Sequence, residues 1–189
     1  MDIFLEYMVK RQKDMHDHMA IFGIIAGACV LTVVLGFVLT LLPSELFLLF
    51  FLVIIGIWFG VYILISRRNM EYEYTFTNGE LDVDVVYAKK RRVHLLTVRA
   101  KEFNICAPVY DERYKDAYVR GKELKKTIQA VSSMSSRDIY FADFYLNGEH
   151  ARLLFEPSRR MIEAIARYNR KQVHLSDDKP SAPDAGSRG

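Results

Sequence analysis

Leu46-Phe-Leu-Leu-Phe-Phe-Leu-Val-Ile-Ile-Gly-Ile-Trp-Phe-Gly-Val-Tyr-Ile-Leu-Ile-Ser66 runs for 21 residues without a charge, and its reading decides which solvent half of this chain is built for. A helix needs about 20 apolar residues to cross the roughly 30 Å of hydrocarbon in a bilayer. A core helix of a water-soluble protein would show a polar face at helical spacing, and Leu46 to Ile55 has none. Just before it, Met19 to Ser44 gives 26 uncharged residues. That stretch exceeds the apolar core of a signal peptide, about 7 to 15 residues, and no convincing small-x-small cleavage site follows it. Two transmembrane helices, 19–42 and 46–66, are therefore predicted. The link around Pro43-Ser44-Glu45 is too short for an outer domain, so 19–66 should form an antiparallel hairpin.

Flanking charge orients that hairpin. Lys10, Arg11 and Lys13 precede the first span, Arg67 and Arg68 follow the second, and the link carries no Lys or Arg. Positive flanks stay on the cytoplasmic side, which puts both termini there. Up to Ser66 the chain has three cations and five acids, whereas Arg67 to Gly189 has 23 and 18. So mild an excess falls short of a nucleic-acid binder. Beside a membrane it suits the lipid bilayer and its anionic headgroups. Within the spans only Cys29 and Tyr62 are ionisable, which argues against a proton or ion path through the hairpin. Cys29 lies in a span and Cys106 in a predicted strand. Neither CxxC spacing nor a His/Cys cluster suggests a metal or another cofactor, and a reduced, cytosol-facing domain fits.

Each span holds Gly-x-x-x-Gly, as Gly23-Ile-Ile-Ala-Gly27 and Gly56-Ile-Trp-Phe-Gly60. At 1.5 Å per residue the motif centres lie about 9 and about 12 Å from the cytoplasmic ends, nearly one level. Small residues let helices approach closely in lipid. Gly23, Gly27, Gly56 and Gly60 are thus candidates for packing within the hairpin, with homodimerisation through one face, or mere glycine frequency, as the alternatives. The leader, 1–18, sets Phe4, Tyr7, Met8, Met15 and Met19 at helical spacings and reads as a short interfacial helix. His16-x-His18 beside Asp14 falls short of the three or four positioned ligands a metal needs.

Past Arg68 the pattern changes to period two. Tyr72, Tyr74 and Phe76 alternate with Glu71, Glu73, Thr75 and Thr77; then come Asn78-Gly79 and the alternating Leu81, Val83 and Val85. Asn-Gly between alternating runs marks a tight hairpin. Val93–Val98, Glu102–Ala107 and Thr127–Ser132 read as further strands, and Ile139–Leu146, Asn147-Gly148 and Ala151–Phe155 as a second hairpin. Pro157 suits the first turn of a helix to about Val173, whose stripe of Met161, Ile162, Ile165, Ala166 and Tyr168 needs a sheet to cover. Residues 110–126 read as a long charged excursion. Ser132–Ser136 reads as a loop, since a catalytic serine needs a base and an oxyanion site that no motif supplies. Residues 176–189 read as a disordered tail. His94 and His150 read as strand residues.

These elements predict an α+β membrane protein: a transmembrane hairpin, then an antiparallel β-sandwich or barrel over 67–175, capped by a C-terminal helix, 157–173. The opening Tyr72-x-Tyr-Thr-x-Thr-x-Gly-x-Leu81 resembles the bacterial, membrane-anchored variety of the pleckstrin-homology-like superfold, which implies a PH-like domain. Met1-Asp-Ile-Phe-Leu-Glu-Tyr-Met-Val-Lys10, Tyr74-Thr-Phe-Thr-Asn-Gly-Glu-Leu-Asp82 and Leu154-Phe-Glu-Pro157 together resemble a family of small bacterial two-span membrane proteins of unknown function, up to about His174. That implies a bacterial inner-membrane topology and no activity, since a fold does not carry a function with it.

One candidate site follows from hairpin geometry. Eight strand residues carry the chain about 25 Å from the membrane and the next strand returns it. Lys89, Lys90, Arg91 and Arg92 would then join Arg67 and Arg68 at the membrane-facing end, each contributing about 1 kcal/mol near an anionic surface. The competing reading is a solvated turn. With only Asn78-Gly79 joining the first two strands, a headgroup pocket there is not expected. The leading functional expectation is a non-enzymatic, membrane-tethered interaction module that presents its β domain to lipid or to a protein partner. An accessory or assembly subunit of a larger transport or envelope complex is the alternative. A membrane-surface enzyme, which would need converging polar groups in a pocket, is the third.

Overall fold

The computed structural model describes residues 3–40, 47–119 and 124–176. The expected link at Pro43-Ser44-Glu45, the excursion's Gly121 and tail residues 177–189 lie outside the described residues. The chain divides into two compact units, one of residues 1–11 with 71–189 and one of 12–70.

The first unit opens with a correction. The leader is not an interfacial helix: Phe4–Lys10 is a strand, β1. It pairs antiparallel with β2, Met70–Thr77, in a register running from Phe4 opposite Thr77 to Lys10 opposite Glu71. Leu5, Tyr7 and Val9 face inward while Phe4, Glu6, Met8 and Lys10 stay exposed, the alternation of a half-buried strand. A seven-residue segment gains little as an isolated helix, whereas β2 offers it a full hydrogen-bonding edge. Its first pairing is closed by Asn78, whose N–H donates to the Ile3 carbonyl at 3.1 Å and whose Oδ1 accepts from the Ile3 N–H at 3.1 Å.

β3 (Glu80–Tyr87) and β4 (Arg91–Arg99) complete a sheet of order β1-β2-β3-β4. The segment expected as a strand from Glu102 is instead a 3-10 turn, Ala100–Glu102, before β5, Ile105–Pro108. After the short helix α3 (Lys115–Val119) come β6 (Lys126–Ala130), β7 (Tyr140–Leu146) and β8 (Glu149–Phe155). These build a second sheet of order β5-β7-β8-β6. It is mixed rather than antiparallel, because β6 runs parallel to β8. The C-terminal helix α4 is shorter than expected, Arg159–Tyr168. Pro157 precedes its cap, Ser158, whose Oγ accepts from the Met161 N–H at 3.3 Å. The helix ends where the Asn169 side chain turns away to donate to the carbonyls of Ala100 and Phe103. Beyond it the chain adds to the free edge of β5: the Cys106 N–H donates to the Gln172 carbonyl, and the His174 N–H to the Cys106 carbonyl.

Both sheets and α4 share one core. Tyr74, Phe76, Leu81 and Val83 from the first sheet meet Phe144, Leu153 and Phe155 from the second and Met161, Ile162 and Ile165 from the helix. Each large apolar side chain so buried is worth about 1.5–3 kcal/mol. Polar ties fix how the sheets face one another. The Tyr74 hydroxyl donates to the Ala130 carbonyl and accepts from the Glu156 N–H. Burial pushes that phenol far above its ordinary range, so it stays a neutral donor. Glu156, within the Leu154–Pro157 motif, accepts from the N–H and hydroxyl of Ser132 at 3.2 and 3.0 Å, which ties down the start of the serine-rich loop.

A smaller cluster, with Ala107, Ile139, Phe141 and Leu154, takes Tyr114, Ala117 and Tyr118 of the charged excursion. Arg152 holds that excursion in place. Its guanidinium grips Asp143 through two bonds of 2.6 and 2.8 Å, donates to the carbonyls of Tyr118 and Ala117, and lies over the Tyr118 and Phe141 rings. Such a fork gives all three guanidinium nitrogens a partner, the condition for burying charge.

In the second unit, α1 (Met15–Leu39) and α2 (Phe47–Ser66) are each long and apolar enough to cross a membrane. α1 starts four residues before the expected Met19, taking His16 and His18 into its first turn. The helices lie against each other, and the buried residues among those described in them are Ala28 and Val61. Asp17 of α1 and Arg68, just beyond α2, form an ion pair at 3.0 Å.

The two Asn-Gly turns differ in a way that stability measurements can read. Gly79 and Gly148 both have positive φ, +97° and +83°. A Cβ at Gly79 would lie 2.8 Å from the Tyr168 ring, whereas one at Gly148 would meet open space. Gly148→Ala should cost only the left-handed backbone term, about 1–2 kcal/mol. Gly79→Ala should cost about 1–3 kcal/mol more from overpacking. Denaturant titration of both variants checks this, and equal losses would mean that Tyr168 does not pack over the turn.

Candidate functional site

One end of the first sheet collects the basic residues. β1 ends there at Lys10, β2 begins at Met70, β3 ends at Tyr87 and β4 begins at Arg91. With strands about 5 Å apart, the four ends span about 15 Å. Lys89, Lys90 and Arg91 are exposed here and have no ion-pair partner among the described residues. Lys10 joins them from the end of β1. Sequence reading missed it because the leader's spacings also fit a helix; the available signal was that Leu5, Tyr7 and Val9 alternate like the strand they join. Tyr72 lies near Arg11 and Tyr87 at this end, and burial pushes its phenol up.

The expected six cations are not equivalent. Arg92 is turned away from the cluster: its guanidinium donates to Glu73 at 2.6 Å and lies 3.9 Å from Asp84. Arg68 is held by Asp17. Arg67 has no ion-pair partner among the described residues and belongs to the other compact unit. The geometry thus places Lys10, Lys89, Lys90 and Arg91 together at the sheet end, and assigns Arg92 to the sheet's outer face.

On that outer face a polar chain crosses all four strands. Thr97 donates to Asp82 and lies 3.2 Å from His94 Nε2; His94 Nδ1 is 2.8 Å from Asp84; Arg92 links Asp84 to Glu73; and Glu6 lies beside Glu73, where the two carboxyls can share a proton. Glu73 has a side chain only 4 % exposed. Burial pushes its carboxyl above the usual range, Arg92 opposes this, and Glu6 and Asp84 add to it.

The turn carrying the lysines is unlike the other two. Ala88 and Lys89 both have positive φ, 51° and 57°, and the Lys90 N–H donates to the Tyr87 carbonyl at 3.0 Å. Two successive left-handed residues are what a type I′ turn requires, and Asn-Gly supplies them with little strain. This chain uses Asn-Gly at 78–79 and at 147–148. At 88–89 it uses Ala-Lys, each left-handed residue costing about 1–2 kcal/mol.

The glycine motifs are not brought together. At Gly23, Gly27, Gly56 and Gly60 an added Cβ would meet nothing within 4 Å, so both faces point away from the neighbouring helix of the same chain. Two surface depressions occur elsewhere. One is lined by Asn78, Gly79, Glu80, Arg99, Lys101 and Tyr168, the other by Tyr110, Asp111, Arg113, Met134, Arg137 and Ser176 among others. Their polar groups bond largely to one another: Arg99 to Glu80, Arg113 to Asp111, and the Tyr110 hydroxyl to the Met134 carbonyl.

Glu73 makes stability depend on pH with a definite sign. Its raised folded-state pKa means the folded chain holds this proton more tightly than the unfolded one. Stability should therefore fall as pH rises from the ordinary value of 4.5 through the raised one. Glu73→Gln keeps a neutral partner for Glu6 and Arg92 and should flatten that part of the curve. Melting temperature against pH for both proteins checks it, and parallel curves would show that Glu73 ionises alike in both states.

The family model described as Bacterial PH-like domain (DUF6106) matches residues 1–175. No curated protein and no solved structure matches the chain.

Proposed function

The chain belongs to the bacterial PH-like domain family, and from that premise we propose that it is a non-enzymatic, membrane-tethered interaction module whose β domain lies with one sheet end at the cytoplasmic leaflet of the bacterial inner membrane. The observation that carries this reading is the pairing of β1 with β2. The apolar helices are an insertion between two neighbouring strands, so both flanks of the hairpin lie on one side of whatever the helices cross. The Lys and Arg flanks support the cytoplasm as that side, since positive flanks are favoured there. The exposed apolar surface of α1 and α2 far exceeds what a water-soluble monomer leaves uncovered, and lipid covers it at no cost.

The segments that join the strands to the helices, 11–14 and 67–69, both leave from the sheet end that carries Lys10, Lys89, Lys90 and Arg91. Tyrosine is favoured at membrane interfaces, and Tyr72 and Tyr87 lie at the same end. Anionic phospholipid headgroups are the ligand that this arrangement suits. In the two depressions Arg99 takes up Glu80 and Arg113 takes up Asp111, and a reacting site needs such carboxylates free to meet a substrate, which supports the non-enzymatic reading.

A second reading is favoured by the outward glycine faces. An accessory or assembly subunit of a larger membrane complex would use them against the helices of a partner protein. Gly27→Ile with Gly56→Ile would then abolish co-purification of that partner, and leave the module reading untouched.

The direct test uses the full-length protein in nanodiscs. Transfer from phosphatidylcholine to mixed phosphatidylglycerol discs should raise the melting temperature of the β domain by about 5 °C or more, from cations worth about 1 kcal/mol each. Lys10, Lys89, Lys90 and Arg91 changed to Ser should remove the gain. Arg92 is left in place, because its loss would strand the buried Glu73. A wild-type protein indifferent to lipid charge would rule out headgroup contact.

A further inference from the structure

We infer that Lys89 is the principal phosphate contact of the basic sheet end, retained in a strained left-handed position because its side chain is needed at the tip of the turn. This inference rests on the membrane-facing reading given above and goes beyond it, in that one cation is set apart from its neighbours. The chain itself shows the unstrained alternative. In two other hairpins the left-handed pair is Asn-Gly, with φ of 50° and 97° at Asn78 and Gly79 and of 53° and 83° at Asn147 and Gly148. At the basic turn, where three residues join the paired Tyr87 and Arg91, the left-handed pair is Ala88 and Lys89, at 51° and 57°. Nothing in the fold demands a lysine there: Lys89 is exposed, and no ion pair or side-chain hydrogen bond holds it among the described residues. Strain held at an exposed position without a structural partner points to a contact made outside the chain.

Position supports the same assignment. Lys89 is the middle of the three residues, Ala88 to Lys90, that join the paired Tyr87 and Arg91, and the Lys90 and Arg91 beside it are both exposed and unpaired among the described residues. A turn tip protrudes furthest from its sheet, so it meets a surface before its neighbours do. An ammonium on a long flexible stem reaches a phosphate as a point charge without needing a fixed approach angle. The ligand is the phosphate of an anionic phospholipid in the bilayer.

Stability and binding should respond in opposite directions. The full-length protein is measured in phosphatidylcholine and in mixed phosphatidylglycerol nanodiscs, alongside Ala88→Gly, Lys89→Gly and Lys90→Ser. Both glycine variants should melt higher than wild type in phosphatidylcholine, because each relieves a left-handed residue. Ala88→Gly should keep the full gain on moving to phosphatidylglycerol. Lys89→Gly should lose at least half of it, and Lys90→Ser, which removes the same charge, clearly less. Equal losses for the two lysines would make Lys89 one cation among several and overturn the inference, as would Lys89→Gly keeping the whole gain. Failure of both glycine variants to melt higher would remove the strain on which the inference rests. A wild-type protein that shows no gain would sink the membrane reading itself. Inorganic phosphate added to phosphatidylcholine discs is the last arm: a rise matching that from phosphatidylglycerol would overturn the lipid as the source.

Discussion

The pairing of Phe4–Lys10 with Met70–Thr77 is the contact on which the rest of the architecture depends. Its two strands are separated in sequence by both apolar helices. Closing a flexible loop of that length would cost about 4 kcal/mol beyond the fixed term. A helical hairpin formed first removes most of that cost. It returns the chain near its starting point, and only the short segments 11–14 and 67–69 remain to be ordered. The sheet edge and the hairpin therefore support each other, one by holding its ends together and the other by presenting those ends for pairing.

Much of this was legible in the amino-acid sequence because the decisive signals were local. Charge-free runs mark α1 and α2, Asn-Gly marks two of the three hairpins in the sheets, and the Met161-Ile162-Ile165 stripe marks α4. β1 was not legible in the same way. Phe4, Tyr7 and Met8 satisfy a helical period while Leu5, Tyr7 and Val9 satisfy a strand period, and only a partner far along the chain decides between them. The parallel pairing of β6 with β8 was hidden for the same reason, since no adjacent turn announces it. The end of α4 was placed too late because the sequence does not show that the Asn169 side chain is drawn to Ala100 and Phe103.

The candidate site was half legible. A run of four cations can be read from sequence, but which of them are free cannot, because that depends on which carboxylates lie across the sheet. Arg92 is one strand away from Asp84 and two from Glu73, and it answers their charge. Lys89, Lys90 and Arg91 have no acid opposite them. Arg152 makes the same point inside the protein, where a residue that reads as one more exposed strand cation is buried over Asp143 and clasps α3. The location of a basic residue in the chain says little about its job; the acids its fold places beside it say most.

On the proposed reading, the tether changes what weak charges can do. A free soluble domain would have to overcome the loss of translational and rotational freedom on reaching a membrane, several kcal/mol at least. A few exposed cations worth about 1 kcal/mol each would barely hold it there. Here the two connections leave from neighbouring strands, so the domain is already confined at high effective concentration beside the bilayer. What remains undetermined by the covalent structure is tilt. Both tethers leave from the β1–β2 side of the sheet end, and Lys89, Lys90 and Arg91 lie at its other side, beyond β3. On that reading, the same small electrostatic energy that could not recruit a free domain is enough to orient a tethered one.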